Sequence, residues 1–313
     1  MTTSRKLLGV TAISLMLGLS ACGGGSAASS SDNASGVSVA GMTITKDDAL
    51  ASQLPEKYRS GITALTIAPY APYMVYGPGN KLEGALIDVS DAVAAKLGTK
   101  VTYNVTTIDS AIPSLQAGKG DLMVMTLADT ADREKAVDFI NFGKDGLSLM
   151  VKKGNPEGIK SGKDLCGKSV TILAGWSPAD TFDVLTQKCE AEGRPAVNIV
   201  RLPKTEDGMM AVKAGNASAS YVSKSAALSA VKALGANGGI DVVLPEEQPS
   251  GWNHQYKGLT VPKGSPLGKP LQAAMESLLA DGTLKKIFDK YDVGYILNDK
   301  IVSNEALALS NIW

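Results

Sequence analysis

Apolar and polar positions along the first half of this chain follow strand and helix patterns in turn. Apolar or alternating runs indicate strands, and apolar residues spaced three and four apart indicate helices. The predicted strands lie at residues 64–68, 101–105 and 122–125. The predicted helices lie at residues 84–98 and 108–118, each ending at a glycine. Such alternation indicates a mostly parallel sheet with helices on both faces.

After residues 143–146, a segment flanked by glycines, the same alternation begins again. We interpret this segment as a crossing into a second lobe. The elements predicted beyond it are strands at 169–173, 197–202 and 219–222, a helix around 182–185 and a helix at 208–214. Residues 259–261 then return the chain, Pro270 is predicted at the first position of a helix, and Thr283 is predicted to cap another. The tail beyond Gly294 shows no assignable pattern.

Two prolines break the apolar run after the first strand, so the chain enters a loop there. This loop carries Tyr70, Tyr73 and Tyr76. Ligands of open α/β sheets bind at the C-terminal edge of the strands, which makes these tyrosines candidate ligand contacts. Packing within the loop or the core is the alternative for at least one of them.

One arginine follows the third predicted strand. Thr130 is the predicted N-cap of a short helix at 131–136, which would place Arg133 in its first turn. Backbone N–H groups and a guanidinium together suit a carboxylate. The other interpretation is a surface arginine paired with Asp129 or Asp132, and this stretch alone leaves both open.

Residues 1–22 have the pattern of a targeting segment. A basic start precedes an apolar stretch at 7–19 that is too short to span a bilayer. Small residues before Cys22 then resemble the lipobox of bacterial lipoproteins, in which the cysteine carries the lipid anchor. An ordinary cleaved signal with a chance cysteine is the alternative. Residues 23–40, rich in Gly, Ser and Ala, are predicted to be a flexible tether.

Composition limits the classes of partner. The chain has 313 residues, of which 44% are hydrophobic, enough for about two domains with full cores. Lys+Arg and Asp+Glu both number 31, so the formal net charge is zero. This balance argues against a nucleic-acid groove or an anionic membrane surface, both of which need a basic excess. Cys166 and Cys189 remain as an even pair, which predicts a disulfide in an exported protein, with two free buried thiols as the alternative.

The sequence gives little support for catalysis. Residues 162–169 match the phosphate-loop pattern, but that pattern needs a helix after its Lys-Ser, and here a strand is predicted instead. The only histidine is His254, and no Ser-His or Cys-His pair is signalled. A single histidine without further ligands does not suit zinc. We therefore predict no enzyme activity, no cofactor and no metal.

Several segments together resemble the bacterial extracellular solute-binding proteins of family 3, the polar amino-acid receptors of ABC importers. The matching segments are 54–58, 84–89, 112–118, 121–122, 130–139, 164–168, 261–263 and 280–283. The Thr-x-x-Arg-x-Lys-x-Val-Asp-Phe block at 130–139 is the most specific. The resemblance covers about 54–293, nearly all of the chain after the tether.

The resemblance implies a type II periplasmic-binding-protein fold, in which two α/β lobes joined by two crossings close over one small ligand. The first lobe would comprise 41–145 and 257–313, and the second 146–256. It also implies a monomer that delivers its solute to ABC permease subunits. With Cys22 lipidated, the protein would be held by a lipid anchor at the outer face of the bacterial cytoplasmic membrane or in the periplasm.

The resemblance also assigns roles to single residues. Arg133 falls on the position that grips the ligand carboxylate, and Tyr70 on the aromatic that covers the ligand. The other implied contacts are Tyr73, Thr126, Ala128, Trp176, Ser177 and Ser223, among which Ser177 supplies a second-lobe hydroxyl.

Three departures from the family pattern bear on the ligand. Ala128 stands where a hydroxyl is usual, and Ala85-Leu86 replaces Phe-Asp. Ser223, followed by Lys224, stands where an aspartate would bind the α-ammonium of an amino acid. A closed cleft cannot leave an ammonium unpaired at small cost.

The absence of this aspartate has two possible explanations. Asp129, Asp180 or Glu246 could supply the charge, or the ligand could be a small carboxylate without an amine. A sensing domain for a membrane partner would share the fold. A dehydratase on the same fold would need an acid/base pair in the cleft.

Overall fold

The computed structural model describes residues 36–175, 179–246 and 250–307. Its helices are α1 (Asp48–Ser52), α2 (Ala85–Lys96), α3 (Ile108–Gln116), α4 (Ala179–Ala191), α5 (Thr205–Ala214), α6 (Lys224–Leu234), α7 (Gly268–Ala280) and α8 (Thr283–Lys290). Its strands are β1 (Val37–Val39), β2 (Met42–Ile44), β3 (Ile62–Thr66), β4 (Val75–Tyr76), β5 (Leu82–Glu83), β6 (Val101–Val105), β7 (Leu122–Val124), β8 (Val137–Lys152), β9 (Ser169–Leu173), β10 (Asn198–Leu202), β11 (Ala219–Ser223), β12 (Ile240–Val243), β13 (Trp252–Pro262) and β14 (Leu297–Ser303). The predicted targeting segment, Cys22 and most of the tether lie outside these ranges.

Two long antiparallel strands, β8 and β13, connect the two halves of the molecule. At one end they join the parallel strands β6, β3 and β7, with β14 added along β8. At the other end β8 pairs with β11 and β12, and β11 continues through parallel pairs to β9 and β10. The predicted two-lobed α/β fold is thereby confirmed. Strands pair antiparallel where the chain crosses or returns and in the two short pairs β1–β2 and β4–β5.

Two separate apolar regions define the lobes. The first packs α2, α7 and α8 against β3, β7 and the adjoining part of β8. The second lies around β9, β11 and α4, with a smaller cluster under α5 and α6. We call these the first lobe and the second lobe. The predicted boundaries, 145/146 and 256/257, fall inside β8 and β13.

The segment 143–146, interpreted from the sequence as a crossing between the lobes, is the middle of β8, so the chain crosses there as an extended strand. Its glycines are required by close neighbours. A Cβ at Gly143 would lie 2.3 Å from the carbonyl oxygen of Ile296, and one at Gly146 would lie 2.2 Å from that of Ser250. These are contacts that no larger residue could make without moving the backbone.

The last two helices begin differently from the prediction. Pro270 is the third residue of α7, still within the turn where a missing N–H costs nothing. Thr283 is the first residue of α8 and Gly282, in the left-handed conformation, is its cap. The backbone N–H of Thr283 donates to the Asp281 carboxylate at 2.9 Å. Part of the tail left unassigned, Leu297–Ser303, forms β14.

Cys166 and Cys189 form a disulfide, with their Cα atoms 5.6 Å apart. It ties the end of α4 to the turn before β9, and Cys189 is fully buried in the second core. The prediction of the bond is confirmed. Within the described residues, no helix combines the length and the apolar character needed to cross a bilayer.

Candidate functional site

The tyrosine loop is held rigidly at the carboxyl edge of β3. Tyr70 and Met74 exchange backbone hydrogen bonds of 2.6 and 3.0 Å, which closes the loop into a tight turn. The backbone N–H groups of Ala85 and Leu86, at the start of α2, donate to the carbonyls of Pro72 and Tyr73. Tyr76, by contrast, is 47% exposed. The loop therefore presents its first two tyrosines inwards from a fixed backbone.

Gly84 is what allows this arrangement. A Cβ there would lie 2.3 Å from the Tyr73 carbonyl oxygen, and φ is +128°. The replacements Ala85 and Leu86 are fully buried at the start of α2, so they pack in the core. They contribute stability to the loop rather than a polar contact to a ligand.

The Tyr70 hydroxyl joins the two lobes. It lies 3.0 Å from the Ser223 hydroxyl of the second lobe. Burial raises the pKa of Tyr70 well above its usual value, so the phenol keeps its proton at neutral pH. Two of the predicted site residues, one from each lobe, thus meet directly.

Ser223 has a structural task besides. It is the N-cap of α6, with its hydroxyl accepting from the backbone N–H of Ala226 at 3.3 Å. An N-capping hydroxyl satisfies one of the free donors at a helix start. It carries no charge, so an ammonium placed here finds dipoles and no counter-ion.

Arg133 lies in a single short turn, Arg133–Lys135, and not in the predicted helix 131–136. The backbone N–H of Arg133 donates a weak hydrogen bond to the Thr130 hydroxyl, at 3.4 Å. The chain enters β8 two residues after this turn, so no helix and no helix dipole can develop. The anion-binding capacity of this segment therefore belongs to the guanidinium alone, which donates to the Ala128 carbonyl at 3.0 Å.

Asp129 and Asp132, the two acids that could have paired locally with Arg133, have other partners. Asp132 pairs with Lys135 at 2.7 Å on the surface. Asp129 is 1% exposed and accepts from Asn141 Nδ2 at 2.6 Å and from the backbone N–H of Glu305 at 2.9 Å. Asp129 therefore fastens the C-terminal segment to β8.

The acid nearest the meeting point of the lobes is Asp145, which the sequence did not single out. It is 1% exposed, and its Oδ2 accepts from the Tyr73 hydroxyl at 3.3 Å and from the Ser225 hydroxyl. Ser225 lies 3.0 Å from Ser223. Because Ser225 gives its one proton to Asp145, Ser223 donates to Ser225 and Tyr70 donates to Ser223.

This chain of hydroxyls ends on Asp145 and links the first lobe, the second lobe and the crossing strand. Burial raises the pKa of Asp145, and the two hydroxyl donors act against that rise. The arrangement holds a carboxylate at the hinge through neutral donors.

A buried lysine lies beside it on the other crossing strand. Lys257 is 2% exposed and makes an antiparallel bridge with Ala128. Burial lowers its pKa to about 8, Asp145 opposes this change, and Arg133 adds to it. Ala128 is fully buried, pairs through its backbone with Lys257, and accepts from the Arg133 guanidinium.

A cavity of about 420 Å³ lies between the lobes, a size that suits a small solute. The two lobes both contribute to its wall, with Tyr70, Thr107 and Asp109 from the first and Leu173 and Lys204 from the second. A second cavity, of about 190 Å³, lies on the α5 and α6 side of Tyr70. A wider depression of about 600 Å³ lies among α7, α8 and β14 and shares no lining residue with this site.

Several predicted residues cannot be placed in the site. Trp176, Ser177 and the side chain of Asp180 lie outside the described residues. Glu246 is exposed. His254 is half-buried on β13, where burial lowers its pKa. Across the described ranges, no group of His, Cys, Asp and Glu side chains is arranged to hold a metal ion.

Known proteins resemble the chain over most of its length. It is 27% identical over 226 residues to the L-arginine-binding protein of Pseudomonas aeruginosa, covering 72% of this chain and 85% of that one. It is 25% identical over 257 residues to the L-cystine-binding protein TcyJ of Escherichia coli, covering 81% and 90%. A solved ancestral arginine-binding protein bound to glutamine superimposes with a TM-score of 0.65 at 31% identity, covering 74% of this chain and 96% of the other.

The family model of these proteins matches residues 62–294, which include both lobes, both crossing strands and the cavity between them. The chain belongs to the bacterial extracellular solute-binding proteins, family 3.

Proposed function

We propose that this protein is the extracytoplasmic receptor of an ABC importer and that it binds a small carboxylate between its lobes, most suitably an amino acid or a close derivative. The observation that carries the proposal is the pairing of Arg133 with a cross-lobe contact. The Arg133 guanidinium donates to the Ala128 carbonyl in the first lobe, and the Tyr70 hydroxyl reaches Ser223 in the second. The arginine- and cystine-binding relatives support the amino-acid class.

Each side chain has a distinct role in this proposal. Arg133 binds the ligand carboxylate through paired N–H donors, a geometry that a planar guanidinium favours. Thr126 and the Ser223 hydroxyl contribute polar contacts, and Ala128 adds a small apolar one. Tyr70 covers the ligand and locks the lobes together. No step in this cycle makes or breaks a covalent bond, so we propose a receptor and not an enzyme.

The test is a binding screen by thermal unfolding on the wild type and on Arg133→Ala. A ligand at a hundred times its Kd stabilises by about 2.7 kcal/mol, which raises Tm by roughly 5–10 °C for a protein of this size. The screen would combine amino acids, organic acids and neutral polar solutes. Arg133→Ala should remove the shift that the best ligand gives.

Arg59→Ala is the matched control, because Arg59 is half-exposed and pairs only locally with Glu56 at 2.7 Å. It should keep the wild-type shift. If a neutral or cationic solute gives the largest shift and Arg133→Ala binds it equally well, the carboxylate receptor is refuted and only the fold remains.

We further propose that the protein is a monomer held at the outer face of the membrane by a lipid on Cys22, after cleavage of the targeting segment immediately before that cysteine. The small residues ahead of Cys22 support this anchor. Cys22→Ala should leave the precursor uncleaved or release it from the membrane fraction. A Cys22→Ala protein that still carries an acylated N-terminus in the membrane fraction would contradict the anchor.

A further inference from the structure

The cavity of about 190 Å³ beside Tyr70 lies between the two lobes. The first lobe contributes Tyr70 and Ala71 to its wall, and the second contributes Met150 and residues of α5 and α6. Most of the lining side chains are apolar, namely alanines, methionines and a leucine. A small space with such walls suits an aliphatic part of a ligand.

One acid interrupts this apolar wall. Of the described residues that line the cavity, Glu206 alone carries a charge. Its Oε2 atom is buried without a hydrogen-bond partner in the described parts of the chain, and so is the hydroxyl of Thr205 beside it. The ion pairs formed within those parts do not include Glu206. Buried polar atoms are nearly always paired, so these two acceptors indicate a donor from outside the chain.

The helix that carries Glu206 is fixed by close packing. Glu206 lies in the first turn of α5, and Gly208 follows two residues later. A Cβ at Gly208 would lie 2.7 Å from the Thr171 hydroxyl oxygen and 2.8 Å from that of Ser220, on β9 and β11. Any larger residue there would have to displace a side chain of the sheet. The core of the second lobe therefore holds Glu206 at the cavity.

The same cavity borders the position that lacks the usual aspartate. Ala226, whose backbone N–H donates to the Ser223 hydroxyl, lines it together with Glu206. The Tyr70 hydroxyl lies 3.0 Å from Ser223. Burial is the main cause of the raised pKa of Tyr70, and the charge of Glu206 adds to it. Glu206 therefore brings a negative charge into the surroundings of the neutral Ser223.

We propose that this cavity binds a protonated aliphatic amine of the ligand, with Glu206 as its counter-charge and Thr205 as a further acceptor. The assignment rests on the proposed function, in which Arg133 binds the ligand carboxylate. An ammonium group has donors for both acceptors, and its charge complements the acid. The receptor would then prefer a ligand with an amine to an amine-free acid. Either the α-amine of an amino acid or the terminal amine of an aliphatic chain offers this chemistry.

Two series of ligands test the preference on the wild-type protein. Hexanoate, L-norleucine, ε-aminohexanoate and L-lysine share one carbon chain and differ in whether and where they carry an amine. Butyrate, α-aminobutyrate, γ-aminobutyrate and α,γ-diaminobutyrate form the same series on a shorter chain. Calorimetric titration should show an amine binding about tenfold or more tightly than the amine-free acid of its series. Tighter binding of the α-amine or of the terminal amine identifies which of the two occupies the cavity.

Variants then assign the preference to Glu206. Glu206→Gln nearly keeps the shape of the side chain and removes its charge, so amine and amine-free acid should bind about equally. Asp207→Asn is the matched control, because Asp207 lies in the same first turn of α5 but is exposed and does not line the cavity. It should keep the preference. Glu206→Asp, which keeps the charge on a shorter side chain, should retain part of it, and a merely structural role would not produce this order.

Three results would overturn the inference. They are a wild type that binds no amine of either series, a wild type that binds the amine-free acids as tightly as the amines, and a preference that survives in Glu206→Gln. If Glu206→Gln does not fold, the wild-type series and Glu206→Asp still decide. Arg133→Ala separates this inference from the proposed function. Loss of the best screened ligand in Arg133→Ala leaves the proposed function standing whatever the amines do, whereas unchanged binding refutes the proposed function itself.

Discussion

The hydroxyls of Tyr70 and Ser223 are 3.0 Å apart, although 153 positions separate the two residues along the chain. Tyr70 projects from a turn fixed to the first lobe, and Ser223 caps the first helix turn after β11 in the second. The contact exists only while the lobes are together. It is thus a direct marker of the closed arrangement.

Tyr70→Phe should weaken ligand binding by making closure less favourable. The phenol is buried, and a typical buried hydrogen bond contributes about 0.5–1.5 kcal/mol, which corresponds to about a two- to tenfold rise in Kd. Tyr76→Phe, at a tyrosine that is 47% exposed, serves as the control and should leave Kd unchanged. Calorimetric titration measures both, and equal Kd values for the two variants would show that the hydroxyl contact contributes nothing to closure.

Replacing both Cys166 and Cys189 by serine should lower the free energy of unfolding by about 3 kcal/mol, since the bond closes a loop over a sequence separation of 23 residues. Urea unfolding would show this as a lower midpoint. Ligand affinity should change little, because neither cysteine lines the cavity between the lobes. Wild type treated with a reductant is the comparison, and equal midpoints with and without reductant would argue against a stabilising bond.

Asp129 should make the protein more stable as the pH falls from 6 towards 4. Burial raises the pKa of Asp129 from 3.8 to about 6. The folded state therefore binds a proton in that range that the unfolded state releases, and stability falls as pH rises through it. Denaturant unfolding at several pH values measures the slope.

Asp129→Asn should flatten this part of the pH profile, because the amide keeps an acceptor for Asn141 and for the Glu305 N–H. Asp132→Asn is the control, since Asp132 lies on the surface beside Lys135, which lowers its pKa. If the stability of Asp129→Asn still rises steeply as the pH falls, another group is responsible for the rise.

Local pattern was enough to locate most elements of the fold. Strand β6 has the predicted bounds, because alternation and two flanking turns specify it without help from tertiary contacts. The helix predicted at 131–136 failed for the opposite reason. Its cap signal is real, but only a few residues separate it from β8, and the strand pairing determines the conformation. Strand β14 was missed because its partner, β8, is far away in sequence.

Some residues of the candidate site could likewise be predicted from the sequence, and others could not. Arg133, Tyr70, Thr126 and Ser223 could be named because they fall within segments that resemble a known family. Asp145 and Lys257 could not, since a charged residue in sequence is normally taken for a solvated one. Their burial follows from the pairing of two strands more than a hundred residues apart, which no local pattern encodes. For Asp145, the one available signal was its position directly before the apolar residues of the second half of β8.

Because the paired strands β8 and β13 continue from one sheet into the other, the connection between the lobes behaves as an elastic ribbon. A paired ribbon flexes and twists along its whole length, so the work of opening is spread over many backbone torsions instead of being concentrated at one bond. Its restoring force grows with displacement. Release of a solute to the membrane transporter would then draw on elastic recoil, and stiffening this ribbon should slow both capture and release without touching the ligand.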